Sequence, residues 1–305
     1  MRSSLPLIAL ALVACTKRAH VAQSDARVSL DSAHDSAVDS ALSPDVEADV
    51  EARDAPRECA PWASIAQGIS SRSCAPRPRN VLVAMAGWRI TTESTQRWVE
   101  ALDRAALGEL GFDALFAVEG PRAVDYRDKE LDLGALLAAI GPALRDPRAR
   151  LLVVAHSSGA HVARALFHRS FSNTNASPIA ERTVYVDLDG DLSIRGDPER
   201  SWAEPARRGL RWALFVGVED RARRLDGFSR DATDAGALAL APKSERWIFD
   251  ASESGCRTDV CAHLSLVNAR PYARGNESYS RFEQGPVNTT WLDRVRAHFD
   301  RSRSP

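Results

Sequence analysis

The chain has no basic stripe and no recognisable RNA- or DNA-binding motif, and only 7% of its 305 residues are aromatic. Nucleic acid is therefore excluded as a partner, because neither the positive field nor the stacking surface is there. Metal-site spacing is missing as well: no CxxC pair and no HxxxH pattern occurs, so zinc is not expected. The apolar run at the N-terminus, Leu5 to Ala14, is too short to span a bilayer. No long-period repeat is present, which sets solenoids and propellers aside. Nothing in the sequence asks for a cofactor.

What is present is unevenly distributed. Residues 16–58 carry ten acidic and five basic side chains, whereas 59–305 carry 31 acidic and 34 basic, for a formal net charge of −1. Val28–Ala52 holds seven acids and neither Lys nor Arg. With almost no large apolar residues, 16–57 cannot bury enough surface to fold and reads as a self-repelling tether. A short amphipathic helix is the competing reading, opposed by Ser32, Ser36 and Ser40.

Before the tether, Arg2, the apolar run and Leu12-Val13-Ala14-Cys15 form an export signal over 1–15. Its ending resembles a bacterial lipobox, which implies acylation of Cys15 and a membrane as one partner of the chain. Acyl chains contribute about 0.8 kcal/mol per buried methylene. By the same resemblance Thr16, where an Asp would imply inner-membrane retention, points to the outer membrane. The alternative is an ordinary secretory signal cleaved near Ala14.

Beyond Cys15 there are four cysteines, Cys59, Cys74, Cys256 and Cys261, in two close pairs. An oxidising compartment permits bridges. Of the three possible connectivities the one with the two local bridges, Cys59–Cys74 and Cys256–Cys261, is favoured.

From residue 58 to 305 short apolar runs alternate with helical patterns, the mark of a mostly parallel α/β sheet in one domain. Strands are expected at Asn80–Ala86, Asp113–Val118, Arg150–Ala155, Thr183–Leu188, Trp212–Val216 and Arg246–Asp250, the last taken as the final strand. Helices are expected at Thr92–Leu110, Leu131–Leu144, Ser158–Arg169 and Val287–Phe299.

One segment carries chemistry. Leu151–Val154 followed by Ala155-His156-Ser157-Ser158-Gly159 is an apolar strand, a tight turn and the start of a helix. A serine in such a turn needs small residues two before and two after it, and Ala155 and Gly159 stand there. Ala replaces the commoner first glycine. Through this elbow and the βα order over 79–300, the chain resembles the α/β-hydrolase family, which implies that fold and a nucleophilic Ser157. The bland alternative is a helix N-cap serine.

A serine nucleophile needs a base, and the base an orienting acid, in the chain order Ser, acid, His. His161 and His168 fall on the helix after the elbow and His298 in the closing helix. His263, thirteen residues after Asp250 in an expected loop, matches the family's position for the base. For the acid, Asp220 after Leu214–Val218 is the first choice, its neighbour Glu219 the second carboxylate there. Asp189 at the end of the preceding strand is the alternative, since some family members take the acid from it. The Asp187-Leu188-Asp189-Gly190-Asp191 run also has a calcium-like look but lacks the distal Glu of an EF-hand loop, so a solvated turn is preferred.

The resemblance further implies an oxyanion hole from the backbone N–H of Ser158 and, after Gly87, of Trp88. The Trp88 indole is equally a candidate for the wall of an acyl pocket or for the core. A Cys256–Cys261 bridge would staple the segment carrying His263. Only about twenty residues separate the strands ending near Asp189 and starting at Trp212, which leaves a minimal cap, with Trp202 and Phe228 as further candidate wall residues. The expected activity is hydrolysis of carboxylic esters, small or polymeric, through an acyl-enzyme. An amidase or peptidase would use the same groups. A hydrolase-fold lipoprotein kept as an inactive binding module is the reading from a different class.

Overall fold

The computed structural model describes residues 58–106, 110–122, 131–172, 181–190, 210–221, 225–226, 237–238, 240–252, 256–267, 269–274, 277–282 and 288–300. The chain divides into two units, 1–55 and 56–305, and every described residue lies in the second. The export signal with Cys15, the tether, Asp191, Trp202 and Phe228 lie outside the described residues.

The strands are β1 (Ala63–Ala66), β2 (Ile69–Ser73), β3 (Asn80–Met85), β4 (Ala114–Val118), β5 (Arg150–His156), β6 (Thr183–Leu188), β7 (Trp212–Asp220), β8 (Leu225–Asp226) and β9 (Ser244–Asp250). They form one sheet in the order β1-β2-β4-β3-β5-β6-β7-β8, with β9 also paired to β7. The run from β4 through β3, β5, β6 and β7 to β9 is parallel, while β1, β2 and β8 are antiparallel additions. A second sheet pairs β10 (Ala269–Arg274) with β11 (Glu277–Phe282).

The near-continuous apolar runs of the central strands follow from their position, since both faces are covered. Alternate side chains point to opposite faces. Leu82, Ala84, Leu152, Val154, Val186 and Leu188 join α1 (Thr92–Ala106), α4 (Asp259–Ser265) and α5 (Leu292–Asp300) through Trp98, Leu102, Ala262, Leu264, Trp291 and Val295. Val81, Val83, Leu151, Val153 and Tyr185 join α2 (Leu133–Ile140) and α3 (Gly159–Ser172) through Leu136, Ile140, Val162 and Phe167.

Three expectations shift. The helix expected over Leu131–Leu144 starts after Asp132, whose carboxylate caps it by accepting from the Ala135 N–H, and it stops at Ile140. Pro142 lacks the N–H that the next turn needs, and the chain resumes as a 3₁₀ turn, Ala143–Arg145. β9 is not the last strand. The segment around His263, expected as a loop, is the seven-residue helix α4, capped by the Thr258 hydroxyl accepting from the Cys261 N–H. Both local bridges are present, Cys59–Cys74 and Cys256–Cys261.

Candidate active site

Ser157 follows the last residue of β5 and precedes α3, with φ +55°, a left-handed value that a side chain rarely adopts. The surroundings hold it there. Its N–H donates to the Leu188 carbonyl at 3.1 Å, tying the turn to β6, and its own carbonyl accepts from the Ala160 N–H at 3.0 Å, starting the helix. Gly159 lets the helix approach β3: a Cβ at that position would stand 2.3 Å from the Met85 carbonyl oxygen and 2.7 Å from that of Ala86. The small residue two places after the serine is thus required by backbone contact. Ala155, two places before, is fully buried.

Gly87 lies directly against the serine, since a Cβ added to it would fall 2.9 Å from Ser157 Cβ. The turn after β3 is fixed by Arg89 N–H to the Pro121 carbonyl, Ile90 N–H to the Gly87 carbonyl and Gly120 N–H to the Ile90 carbonyl. Among the described residues neither the Ser158 nor the Trp88 backbone N–H donates to another protein group. Such unengaged amides beside a serine are what an oxyanion hole is made of. The Trp88 side chain is not core: it is 38% exposed, with its indole N–H on the Arg122 carbonyl at 2.9 Å and the Arg89 guanidinium over its ring.

His263 projects from α4 and is buried. Its Nδ1 meets Asp189 Oδ2 at 2.5 Å. Asp189 is fully buried at the end of β6, and like Ser157 it takes a left-handed φ, +47°. Regular alternation would send its side chain towards α3 with Tyr185. The left-handed residue breaks that alternation, and the carboxylate reaches α4, whose apolar residues pack on the opposite face. Asp220, the first choice from the sequence, is fully buried as the last residue of β7, and Glu219 pairs with Arg221. The acid partner described for His263 is thus the one at the end of β6. No hydrogen bond joins the Ser157 hydroxyl to His263 among the described residues; such bonds often tighten only around substrate.

Two features were not anticipated. His156 stacks on His263 with ring centroids 4.5 Å apart, and neither of its ring nitrogens meets a partner among the described residues. Burial, and then the neighbouring His263, push the His156 imidazole well below its ordinary value, so it stays neutral. Behind the site, Asp187 is fully buried, accepting from the Tyr185 hydroxyl at 2.8 Å and from the Gly190 N–H at 2.6 Å. Both Asp187 oxygens thus have partners within the chain, and the turn expected to be solvated is buried at Asp187 and Asp189. The sequence signal for both is simple: an ionisable side chain at the C-terminal end of a mostly apolar strand.

The strand order β1-β2-β4-β3-β5-β6-β7, with β2 antiparallel to a parallel run that continues to β9 and a strand–turn–helix after β5, is an α/β-hydrolase fold. No protein-family model matches the chain, and no curated protein does. Among solved structures, the esterase Pf2001 of Pyrococcus furiosus is 13% identical, covering 62% of this chain and 83% of its own, with a TM-score of 0.42. Carboxyl esterase 2 of the fungus Tuber melanosporum is 10% identical, covering 82% and 88%, with a TM-score of 0.48. A monoacylglycerol lipase of Paleococcus ferrophilus is 12% identical, covering 63% and 89%, with a TM-score of 0.37. At these identities the likeness concerns the backbone alone, and any chemistry rests on side chains.

Proposed function

We propose that the chain is a serine hydrolase that cleaves carboxylic esters through an acyl-enzyme, with Ser157 as nucleophile, His263 as base and Asp189 as the orienting acid. The observation that carries this reading is the Asp189–His263 bond, with the His263 ring stacked on His156, the residue before a serine held in a left-handed strand-to-helix turn. Asp189 accepts from the Nδ1–H of His263, which leaves Nε2 as the acceptor for the Ser157 proton. Ser157 Oγ attacks the ester carbonyl as its proton passes to His263. The oxyanion is held by the N–H groups of Ser158 and Trp88. On collapse the ester C–O bond breaks, His263 returns the proton to the leaving alcohol, and the acyl group stays on Ser157. Water, deprotonated by His263, then releases the carboxylic acid.

The exported, Cys15-acylated state belongs to the same reading. It is supported by the signal-like first fifteen residues and by two bridges that an oxidising compartment would permit. The experiment is labelling of the folded protein with a fluorophosphonate probe. Wild type should label and Ser157→Ala should not, and its ester turnover should fall by a factor of at least about 10³. Folded wild-type protein that takes no label speaks for the inactive binding module instead.

A further inference from the structure

Asp189 can serve His263 only while its backbone stays left-handed, a conformation costly for a residue with a side chain. Two hydrogen bonds flank it. On one side the Asp189 N–H donates to the Val216 carbonyl at 2.7 Å; on the other the N–H of Gly190 donates to Asp187 Oδ1 at 2.6 Å. The first is an ordinary sheet contact. The second is accepted by a fully buried carboxylate within a strand that is buried throughout.

We propose that Asp187 is a positioning residue for the acid of the site: it clamps the turn after β6 so that Asp189 points at His263. The elbow helix forms the other jaw of this clamp. A Cβ at Gly190 would stand 2.2 Å from Asp187 Oδ1 and 2.6 Å from Ala160 Cβ, so the turn is packed between Asp187 and the first residues of α3. From the same helix comes Arg164, buried, whose charge acts on both Asp187 and Tyr185 and whose Nη2 lies 3.0 Å from His161 Nδ1. Among the described residues, the charged and titratable groups acting on Asp187 are Tyr185 on its own strand, Asp189 just beyond it and Arg164 on α3, with His161 behind the arginine.

A carboxylate placed here is held against its solvation preference. Burial pushes Asp187 up to about 7, assisted by the adjacent Asp189, while the bonds from Tyr185 and Gly190 and the charge of Arg164 pull it down. Both hydrogen bonds are donated to Asp187, so a neutral amide with one carbonyl oxygen still serves Gly190. An apolar residue does not.

The inference rests on Ser157, His263 and Asp189 acting together, so its test includes a readout that needs no turnover. In the full chain, Asp187→Ala and Asp187→Asn are compared with wild type by the far-downfield proton resonance of the His263–Asp189 bond, by fluorophosphonate labelling rate, and by kcat and KM on a nitrophenyl ester. In Asp187→Ala the resonance should be lost, and kcat and labelling rate should fall about 100-fold at nearly constant KM, the scale of a misplaced catalytic group. Asp187→Asn should recover the resonance and return kcat to within about fivefold of wild type. Asp187→Val, of similar volume, replaces the alanine variant if that one does not fold. A resonance and labelling rate unchanged in the folded Ala or Val variant overturn the clamp. So does an Asn variant as impaired as Ala with a native melting curve. Wild-type protein that shows the resonance but takes no label counts against the hydrolase reading; loss of the resonance in Ala and its return in Asn would still support the clamp.

Discussion

β5 and β6 are parallel neighbours, and each ends on a residue with a side chain in the left-handed region, Ser157 after one and Asp189 after the other. The two turns reach that conformation by different means. At Ser157 the chain runs straight into a helix, and the strain is absorbed by contiguous residues: Gly159 admits the β3 backbone and the Ala160 N–H closes the first turn. At Asp189 no helix among the described residues follows at once, and a buried side chain, Asp187, supplies the closing bond. A strained residue can be held by local chain geometry or by a polar group placed two positions back. Only the first leaves a recognisable sequence pattern.

The largest expected effect separates the two acids. If Asp189 orients His263, Asp189→Asn should lower kcat by about 10⁴, because the amide favours the wrong tautomer of the base. Asp220→Asn should lower it less than about tenfold, since β7 would be supplying a buried structural carboxylate. Initial rates on one nitrophenyl ester measure both. A reversal of that order would return the acid to the end of β7 and make the 2.5 Å contact an incidental pairing.

How much of this was legible follows the same division. The elbow was readable because its demands fall within twelve consecutive residues, Leu151 to Val162, and each has a steric cause. The central strands were readable because burial on both faces leaves uninterrupted apolar runs such as Val81–Ala84 and Leu151–Ala155. The partner of His263 was not. Asp187 lies within β6, Asp189 just beyond it and Asp220 at the end of β7, and only the third dimension shows that α4 meets the end of β6. The helix carrying His263 was missed because seven residues give barely two turns of periodicity, and its capping Thr258 lies inside the Cys256–Cys261 loop. The hairpin of β1 and β2 was missed for a related reason: ASIA and ISSRS are short and half polar, as suits antiparallel strands at a sheet edge.

Next in size is a pair of glycine substitutions that set the two turns against each other. In Gly159→Ala the new methyl meets backbone carbonyls of β3, which cannot move without moving the strand. The expected cost is about 3 kcal/mol, the upper end of ordinary overpacking. In Gly190→Ala the new methyl meets the end of the Asp187 side chain at 2.2 Å and Ala160 Cβ at 2.6 Å, so the carboxylate is displaced and the turn is pushed off α3. Read by urea unfolding and initial rates, that variant should lose more activity per unit of lost stability than Gly159→Ala, because the displaced carboxylate is the one closing the Asp189 turn. Equal ratios of lost activity to lost stability would show that the turns are held alike.

The smallest expected effect concerns the base's side of the site. α4 is too short to be stable alone, and its first turn carries Cys261, bridged to Cys256 and two residues before His263. Closing so short a loop contributes about 2 kcal/mol in the chain-entropy model. Cys256→Ser with Cys261→Ser should therefore loosen α4, lowering kcat by a few-fold with KM unchanged and increasing proteolysis within 256–267. The matching change at Cys59 and Cys74 ties the start of the domain to the end of β2, and it should lower the melting temperature without altering kcat. The contrast between the bridges is the informative quantity, because both substitutions remove one disulfide and only one removes it beside His263. Unchanged turnover and unchanged proteolysis after loss of the Cys256–Cys261 bridge would mean that the Asp189 contact and the His156 stack hold His263 by themselves.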